Sequence, residues 1–107
     1  MKPLISVISV NYNGYALTCA MVESLRRHVT APLEIIVVDN GSTDESLEQA
    51  RSYCSRANFT LIENGTNTGF SHAVNQGIAR AKSEFVVLFN NDAFAERQWL
   101  AELLRTS

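Results

Sequence analysis

Two carboxylates in this sequence stand directly after runs of apolar residues. Asp92 follows the run at 85–89, with the amides Asn90 and Asn91 before it, and Asp39 follows the run at 33–38. Such runs are typical of strands buried on both faces of a parallel sheet. Ligands of open α/β sheets bind outside the carboxyl ends of the strands. The two acidic strand ends therefore predict a site for a metal and a nucleotide.

Each carboxylate also has a structural interpretation. Asp92 with its neighbouring amides offers the hard oxygen ligands that Mg²⁺ and Mn²⁺ prefer, or it caps the last helix from an Asn-Asn-Asp turn. Asp39 accepts hydrogen bonds from a ribose hydroxyl or a base N–H, or it is a turn residue or helix cap. The residue types alone leave both alternatives open.

A polar loop at 64–69 precedes a predicted helix and carries two glycines. Glycine permits close backbone approach, and a helix N-terminus favours a phosphate group. A glycine-bearing loop is a weak signal by itself. Asn75, one to two turns into the helix, either reaches the same edge or faces solvent.

Strands and helices alternate four times along the chain, which predicts a three-layer, Rossmann-like α/β fold with a parallel sheet in the order β-α-β-α-β-α-β-α. In the second helix, Ser42 and Glu45 have the spacing of a capping box. The predicted strands cover 4–10, 33–38, 59–62 and 85–89, and the predicted helices cover 16–29, the segment opened by 42–45, 70–82 and 95–105.

The strand at 85–89 is apolar on both faces, as central strands are, yet little sequence follows it. We therefore expect residues 1–107 to form a single domain that is the N-terminal part of a larger fold. An apolar sheet edge left open invites pairing with another chain. We expect a symmetric homodimer through this surface.

The bulk composition narrows the function classes. The chain has 107 residues, 46% of them hydrophobic, and a formal net charge of −2. This charge is too close to neutral to steer the protein to nucleic acid, and no apolar run is long enough to span a membrane. The N-terminus is a poor signal peptide, so we expect a cytoplasmic protein. Cys19 and Cys54 fall in predicted helices and are expected to be buried free thiols.

Competing nucleotide-binding motifs are missing. The turn after the first strand reads Asn-Tyr-Asn-Gly-Tyr at 11–15, which is not the G-x-G-x-x-G of a dinucleotide fold, and no P-loop is present. A receiver domain needs clustered acids at this turn. A nucleotidyltransferase needs a basic loop there, and 12–15 contains neither Lys nor Arg.

Taken together, four segments resemble the nucleotide-binding half of the family-two glycosyltransferases of the GT-A fold. They occur in family order and cover nearly the whole chain. The segments are Val-Ile-Ser-Val-Asn-Tyr-Asn at 7–13, Val-Asp-Asn-Gly-Ser-Thr-Asp at 38–44, Asn-Thr-Gly-Phe at 67–70 with Ala73, Asn75 and Gly77 after it, and Asn-Asn-Asp at 90–92 in the place of the D-x-D metal motif.

The resemblance implies a role for each matching position. The backbone around Val10, with Tyr12, lies near the base, and Asp39 accepts from the base or ribose. Asn91 lies near the sugar nucleotide, and Asp92 binds Mg²⁺ or Mn²⁺. Asn67, Gly69 and Asn75 line the donor pocket. Because Asn90 replaces the first acid of the motif, we expect weak metal binding that depends on the bound diphosphate.

The resemblance also implies a reaction, the inverting transfer of sugar from a UDP- or dTDP-sugar to a glycan acceptor. The general base of that reaction belongs to the acceptor-binding half, so no catalytic residue is assigned and the chain alone is expected to bind donor weakly without transferring sugar. The alternative is a non-catalytic remnant or interaction domain that keeps the scaffold. Nucleotide binding separates the two.

Overall fold

The computed structural model describes residues 5–29, 32–83 and 85–88. Strands and helices alternate throughout, as the sequence predicts. The elements are β1 (Ile5–Asn11), α1 (Tyr15–His28), β2 (Leu33–Asp39), α2 (Ser46–Ala57), β3 (Thr60–Glu63), α3 (Phe70–Arg80) and β4 (Phe85–Leu88). The helix predicted at 95–105 lies outside the described residues.

The four strands form one sheet in the order β3-β2-β1-β4, and every pairing is parallel. The predicted α/β, Rossmann-like parallel fold is therefore confirmed. The chain first runs outward from β1 through β2 to β3, and then returns to the other side of β1 with β4. This reversal places a topological switch point between β1 and β4, and the carboxyl ends of strands at such a point are where open sheets bind ligands.

Helices α1 and α2 cover one face of the sheet. The 3.6-residue spacing in α1 buries Thr18, Met21, Val22 and Leu25 against β1 and β2. Fully burying an aliphatic side chain contributes about 1.5–3 kcal/mol to folding. This side therefore supplies most of the apolar core of the described residues. Cys19 in α1 and Cys54 in α2 are free thiols, but both are half-buried, so the prediction that they are buried is wrong.

Helix α3 covers the opposite face, where the core is smaller. Ala73 packs with Ile8, Ile36 and Val38. A Cβ atom at Gly77 would lie 2.6 Å from Cγ2 of Ile8, so the lack of a side chain at Gly77 lets α3 approach the sheet closely. In the described part of the chain, no helix is long and apolar enough to cross a membrane.

Strand β4 departs from its predicted burial. Phe85 is 60% exposed, Val86 38% and Leu88 46%, so the prediction of a strand buried on both faces is wrong for this structure. The strand pairs with β1 and forms one edge of the four-stranded sheet. An apolar composition shows that a strand tolerates burial on both faces. What covers those faces depends on the elements around it, which the local sequence does not specify.

Candidate functional site

The carboxyl ends of β1 and β2 bring Asn11 and Asp39 side by side. The two residues are partners in the parallel register, and both are fully buried. Asn11 donates from Nδ2 to Oδ1 of Asp39 over 2.9 Å, and its own Oδ1 accepts from Oγ1 of Thr18 over 2.9 Å. Because both ends of the amide have partners, the Asn11 side chain is fixed in one orientation and fixes the carboxylate in turn.

Ser42 supplies the other donors to the Asp39 carboxylate. Its hydroxyl donates to Oδ1 over 2.6 Å, and its backbone N–H donates to Oδ2 over 3.0 Å. Both carboxylate oxygens therefore accept hydrogen bonds from within the protein, which is the geometry of the turn residue that the sequence allowed as an alternative. These bonds do not test binding to a base or ribose.

The predicted capping box of Ser42 and Glu45 does not form. Helix α2 begins at Ser46, and the Ser42 hydroxyl donates to the Asp39 carboxylate, three positions earlier in the chain, instead of bonding to the helix. The backbone N–H of Ser46 is capped by Oδ1 of Asp44 over 2.8 Å. Hydrogen bonding from the Ser46 side chain and backbone lowers the pKa of Asp44, so this carboxylate stays charged at the positive end of the helix.

Asn13 joins the loops that follow β1 and β2. Its backbone has φ of 52°, in the left-handed region that Asn tolerates better than most residues. Oδ1 accepts from the backbone N–H of Thr43 over 2.8 Å and of Asp44 over 3.2 Å, and Nδ2 donates to Oγ1 of Thr43 over 3.1 Å. The backbone N–H of Asn13 donates to Oγ of Ser42 over 3.0 Å. The two loops are thus held as one unit.

Asn40 fixes the polar loop that precedes α3. Its Oδ1 accepts from the N–H of Thr68 over 3.1 Å, from the Thr68 hydroxyl over 2.9 Å and from Nδ2 of Asn64 over 3.0 Å. Its Nδ2 donates to Oδ1 of Asn67 over 3.2 Å and to the carbonyl of Gly69 over 3.3 Å. One amide side chain therefore binds both ends of the loop and places it beside the end of β2.

Gly41 allows the polar loop at 64–69 to pack closely against the turn that follows β2. It has φ of +86°, and a Cβ atom there would lie 2.5 Å from the backbone carbon of Thr66. Only glycine fits between the two backbones at this separation. At the other side of the loop, Asn64 and Gln76 exchange hydrogen bonds of 2.7 and 2.8 Å, which ties the loop to α3.

The structure brings together only part of the predicted site. Asn67 and Gly69 both bond to the side chain next to Asp39. Val10 is half-buried at the end of β1, and Tyr12 is 48% exposed in the following turn. Asn75 is exposed on α3.

Asn91 and Asp92, the remaining predicted site residues, lie outside the described residues. Sequence reasoning missed the amides that organise the edge, namely Asn11, Asn13 and Asn40. Their signal was an Asn at or just after the end of each apolar run, which also fits an ordinary turn.

The described residues do not form a metal site. Within 5–29, 32–83 and 85–88, no group of three or more His, Cys, Asp or Glu side chains could hold an ion. Both oxygens of Asp39 accept internal hydrogen bonds, and the carboxylate of Glu63 at the end of β3 receives Nε of Arg51 over 3.0 Å. The metal prediction therefore depends on Asp92 alone.

The described residues form a parallel α/β sheet with polar loops at the carboxyl ends of β1, β2 and β3, the edge at which open sheets of this kind bind ligands. The family model described as glycosyl transferase family 2 matches residues 6–106. The chain belongs to that family.

Curated relatives match almost the whole chain. The putative glycosyltransferase EpsH of Bacillus subtilis is 33% identical over 98% of this chain and 30% of its own length. The cholesterol galactosyltransferase of Borreliella burgdorferi is 31% identical over 95% of this chain and 28% of its own length. The chain therefore spans less than a third of the length of these relatives.

Solved structures share the fold. The mannosyltransferase PcManGT from Pyrobaculum calidifontis, in complex with GDP-Man and Mn²⁺, has a TM-score of 0.74 and 28% identity, covering 86% of this chain and 28% of its own. S. aureus TarS 1-349 in complex with UDP-GlcNAc has a TM-score of 0.70 and 30% identity, covering 86% of this chain and 27% of its own. These neighbours are GT-A glycosyltransferases, and this chain has their fold.

Proposed function

We propose that this chain, residues 1–107, is the donor-binding domain of an inverting glycosyltransferase that uses a UDP- or dTDP-sugar. The observation that carries the proposal is the loop held by Asn40, which sets Asn67 and Gly69 beside the carboxyl end of β2 and ahead of the N-terminus of α3. A helix N-terminus with a fixed glycine loop favours the diphosphate of a sugar nucleotide. Neighbours of this fold are seen with GDP-Man and with UDP-GlcNAc.

The base occupies the turn after β1 in this proposal. Tyr12 is exposed and offers its ring, and the backbone around Val10 offers hydrogen-bonding groups. Asp39 is kept in the proposal as an acceptor for the base or ribose; because its carboxylate is fully buried in this structure, a ligand reaches Oδ2 only after the loop that carries Ser42 moves. Asn75 lines the pocket from α3, and Asn91 contacts the sugar nucleotide.

A divalent cation, Mg²⁺ or Mn²⁺, belongs to the proposal through Asp92. Neighbours of this fold contain Mn²⁺ together with a nucleotide or sugar nucleotide. Because Asn90 stands in the place of the first acid of the metal motif, we expect metal binding to be weak without a bound diphosphate.

The acceptor in the proposal is a glycan, and the protein works in the cytoplasm. Residues 1–107 bind donor but do not transfer sugar, since inverting transfer needs a general base and none is assigned.

Exposed apolar side chains of β4, such as Phe85 and Leu88, support a homodimer through this edge. Light scattering over a range of concentrations tests this, and a monomer at every concentration contradicts it.

Calorimetric titration tests the donor site. UDP, dTDP and GDP are titrated into the chain with and without Mn²⁺, and into Tyr12→Ala and Asp92→Ala. We expect UDP or dTDP to bind, Tyr12→Ala to weaken binding in all conditions, and Asp92→Ala to remove only the metal-dependent part. Leu17→Ala, also exposed and apolar, is the matched control for Tyr12.

The remaining outcomes separate the alternatives. If no nucleotide binds in any condition, the chain is the non-catalytic remnant. Preference for GDP contradicts the proposed donor class while keeping the site. Tight binding that neither variant alters contradicts the residue assignment.

A further inference from the structure

We propose that a second site, on the α1 and α2 face of the sheet, binds a phosphate-bearing ligand. A groove of about 630 Å³ lies between the C-terminal halves of the two helices, and its rim carries Arg26, Arg27 and Arg56. We call it the arginine groove. Both helices start at the carboxyl edge of the sheet, so their C-terminal ends lie at the amino edge. The groove is therefore remote from Asn11 and Asp39.

Arg26 is held in place by neutral groups. Nη1 donates to the carbonyl of Leu33 over 3.2 Å, and Nη2 donates to the carbonyl of Asn58 over 2.6 Å. Removal of water by burial lowers the pKa of Arg26, although the guanidinium remains charged at any physiological pH. Two of its five N–H donors are used by these bonds, which leaves donors and a full positive charge for a ligand.

Arg56 and Arg27 complete the rim. The guanidinium carbon of Arg56 lies 5.8 Å above the centre of the Tyr53 ring, a cation–π arrangement that restrains the side chain. The carboxylate in the groove, Glu23, accepts the Tyr53 hydroxyl over 3.1 Å. Among residues 5–29, 32–83 and 85–88, the ion pair found is between Arg51 and Glu63, so none of the three rim arginines is paired with a carboxylate.

Charge and shape then select the ligand. The groove contains three guanidinium groups and one carboxylate, so its formal charge is positive although the whole chain is at −2. Guanidinium forks match the oxygens of a phosphate group better than they match a single acceptor. Ala57, which is only partly buried, adds apolar surface to the groove, and apolar surface beside the charged rim strengthens its attraction for an anion.

An ordinary explanation of these arginines is the negative end of each helix dipole, which favours a cation in the last turn. Arg80 in the last turn of α3 has the same relation to its helix but lies on the other face of the sheet. It provides a matched control, because a dipole effect predicts the same behaviour for Arg80 and Arg27. Only a ligand site predicts a difference between them.

The test uses the full chain and two probes. Inorganic phosphate is titrated while the arginine Nε–H and backbone amide signals are followed by NMR. Binding of the chain to phosphatidylcholine vesicles with and without phosphatidylglycerol is measured by co-sedimentation. We expect signals of the arginine groove, including the Asn58 amide, to shift with phosphate or the chain to bind the anionic vesicles. Vesicle binding identifies a lipid headgroup as the source, and phosphate binding without vesicle binding identifies a free phosphorylated molecule.

The variants decide whether the groove is responsible. Arg27→Gln and Arg56→Gln should each weaken the observed binding roughly tenfold, because each removes a charge-assisted contact. Arg80→Gln should leave binding unchanged, and circular dichroism checks that all three remain folded. Nucleotide binding should be unaffected by the groove variants, so the experiment can contradict the arginine groove without contradicting the donor site. Equal losses in Arg27→Gln and Arg80→Gln, or no response to either probe, overturn the proposal.

Discussion

The two edges of the sheet use their polar residues differently. At the carboxyl edge, Asn11, Asp39 and Asn40 bond to other groups of the protein, and their side chains are almost completely buried. At the amino edge, the guanidinium groups of Arg27 and Arg56 are exposed and are not paired with carboxylates in the described part of the chain. A polar residue at a strand end can therefore be explained by folding alone, whereas exposed, unpaired charges that converge in one groove still have donors free for a ligand.

The largest effect is expected where two backbones meet at the carboxyl edge. Gly41→Ala places Cβ 2.5 Å from the backbone of Thr66, at φ of +86°. We expect the free energy of unfolding to fall by about 2–5 kcal/mol, since backbone strain and overpacking add. Gly65→Ala is the control, because φ is +76° there but nothing lies within 4 Å. Urea denaturation measures both, and equal losses would show that strain alone matters.

The next effect concerns the buried amide at the end of β1. Asn11→Ala removes the hydrogen bonds to Asp39 and from Thr18 and leaves both partners buried. We expect a loss of about 2–4 kcal/mol in the free energy of unfolding, because the Thr18 hydroxyl is left unsatisfied, at a cost of about 1–3 kcal/mol, and Asp39 loses one of its three hydrogen bonds. Gln49→Ala, an exposed amide on α2, should change it by less than about 0.5 kcal/mol. Similar values for the two variants would contradict a structural role for this network.

A smaller, pH-dependent effect is expected at the end of β3. Hydrogen bonding from Arg51 lowers the pKa of Glu63 from its ordinary value of 4.5. A lowered folded-state pKa gives stability that is present above the ordinary value and is lost as the pH falls through the folded-state value. Arg51→Gln should therefore reduce stability slightly at neutral pH, and it should have no effect at a pH below the folded-state pKa of Glu63. If the difference in stability between Arg51→Gln and the unaltered chain grew on acidification, the predicted direction of the pH dependence would be wrong.

The smallest effect on stability is expected in the arginine groove. Arg27→Gln should change the free energy of unfolding by less than about 0.5 kcal/mol, and Arg56→Gln by no more than about 1 kcal/mol, the value of an exposed cation–π contact. Thermal and urea unfolding provide the measurement. A loss as large as that of Asn11→Ala would mean that the groove, like the carboxyl edge, is required for folding, and the contrast between the edges would disappear.

The element order was predictable because it depends on local patterns. Apolar runs of strand length alternate with 3.6-residue periodicity, and the two together require parallel βαβ units. The helix predicted at 16–29 is found as α1 for this reason, and its buried face carries Val22 and Leu25. The burial of β4 was predicted wrongly, because residues such as Phe85 and Leu88 do not specify what packs against them.

The candidate site was predictable in position and less so in arrangement. The edge of the sheet follows from strand direction, so Asp39 was correctly placed at a strand end. The capping box at Ser42 failed because a buried carboxylate nearby competes for the same hydroxyl. The role of Asn40 was missed, since its partners Asn64 and Thr68 are more than twenty positions away in sequence.

The sequence by itself determined the α/β alternation, the parallel sheet and the family, since these depend on local periodicities and on the order of short motifs along the chain. Only the tertiary structure decided which polar groups are consumed in folding and which remain available. Asp39 and Asn40 find partners from other strands and loops, whereas the arginines of α1 and α2 converge in one groove and, in the described part of the chain, are not ion-paired with its one carboxylate, Glu23. The physical reason is that hydrogen bonds and ion pairs require contact in space, and spacing along the chain does not specify contact between distant segments.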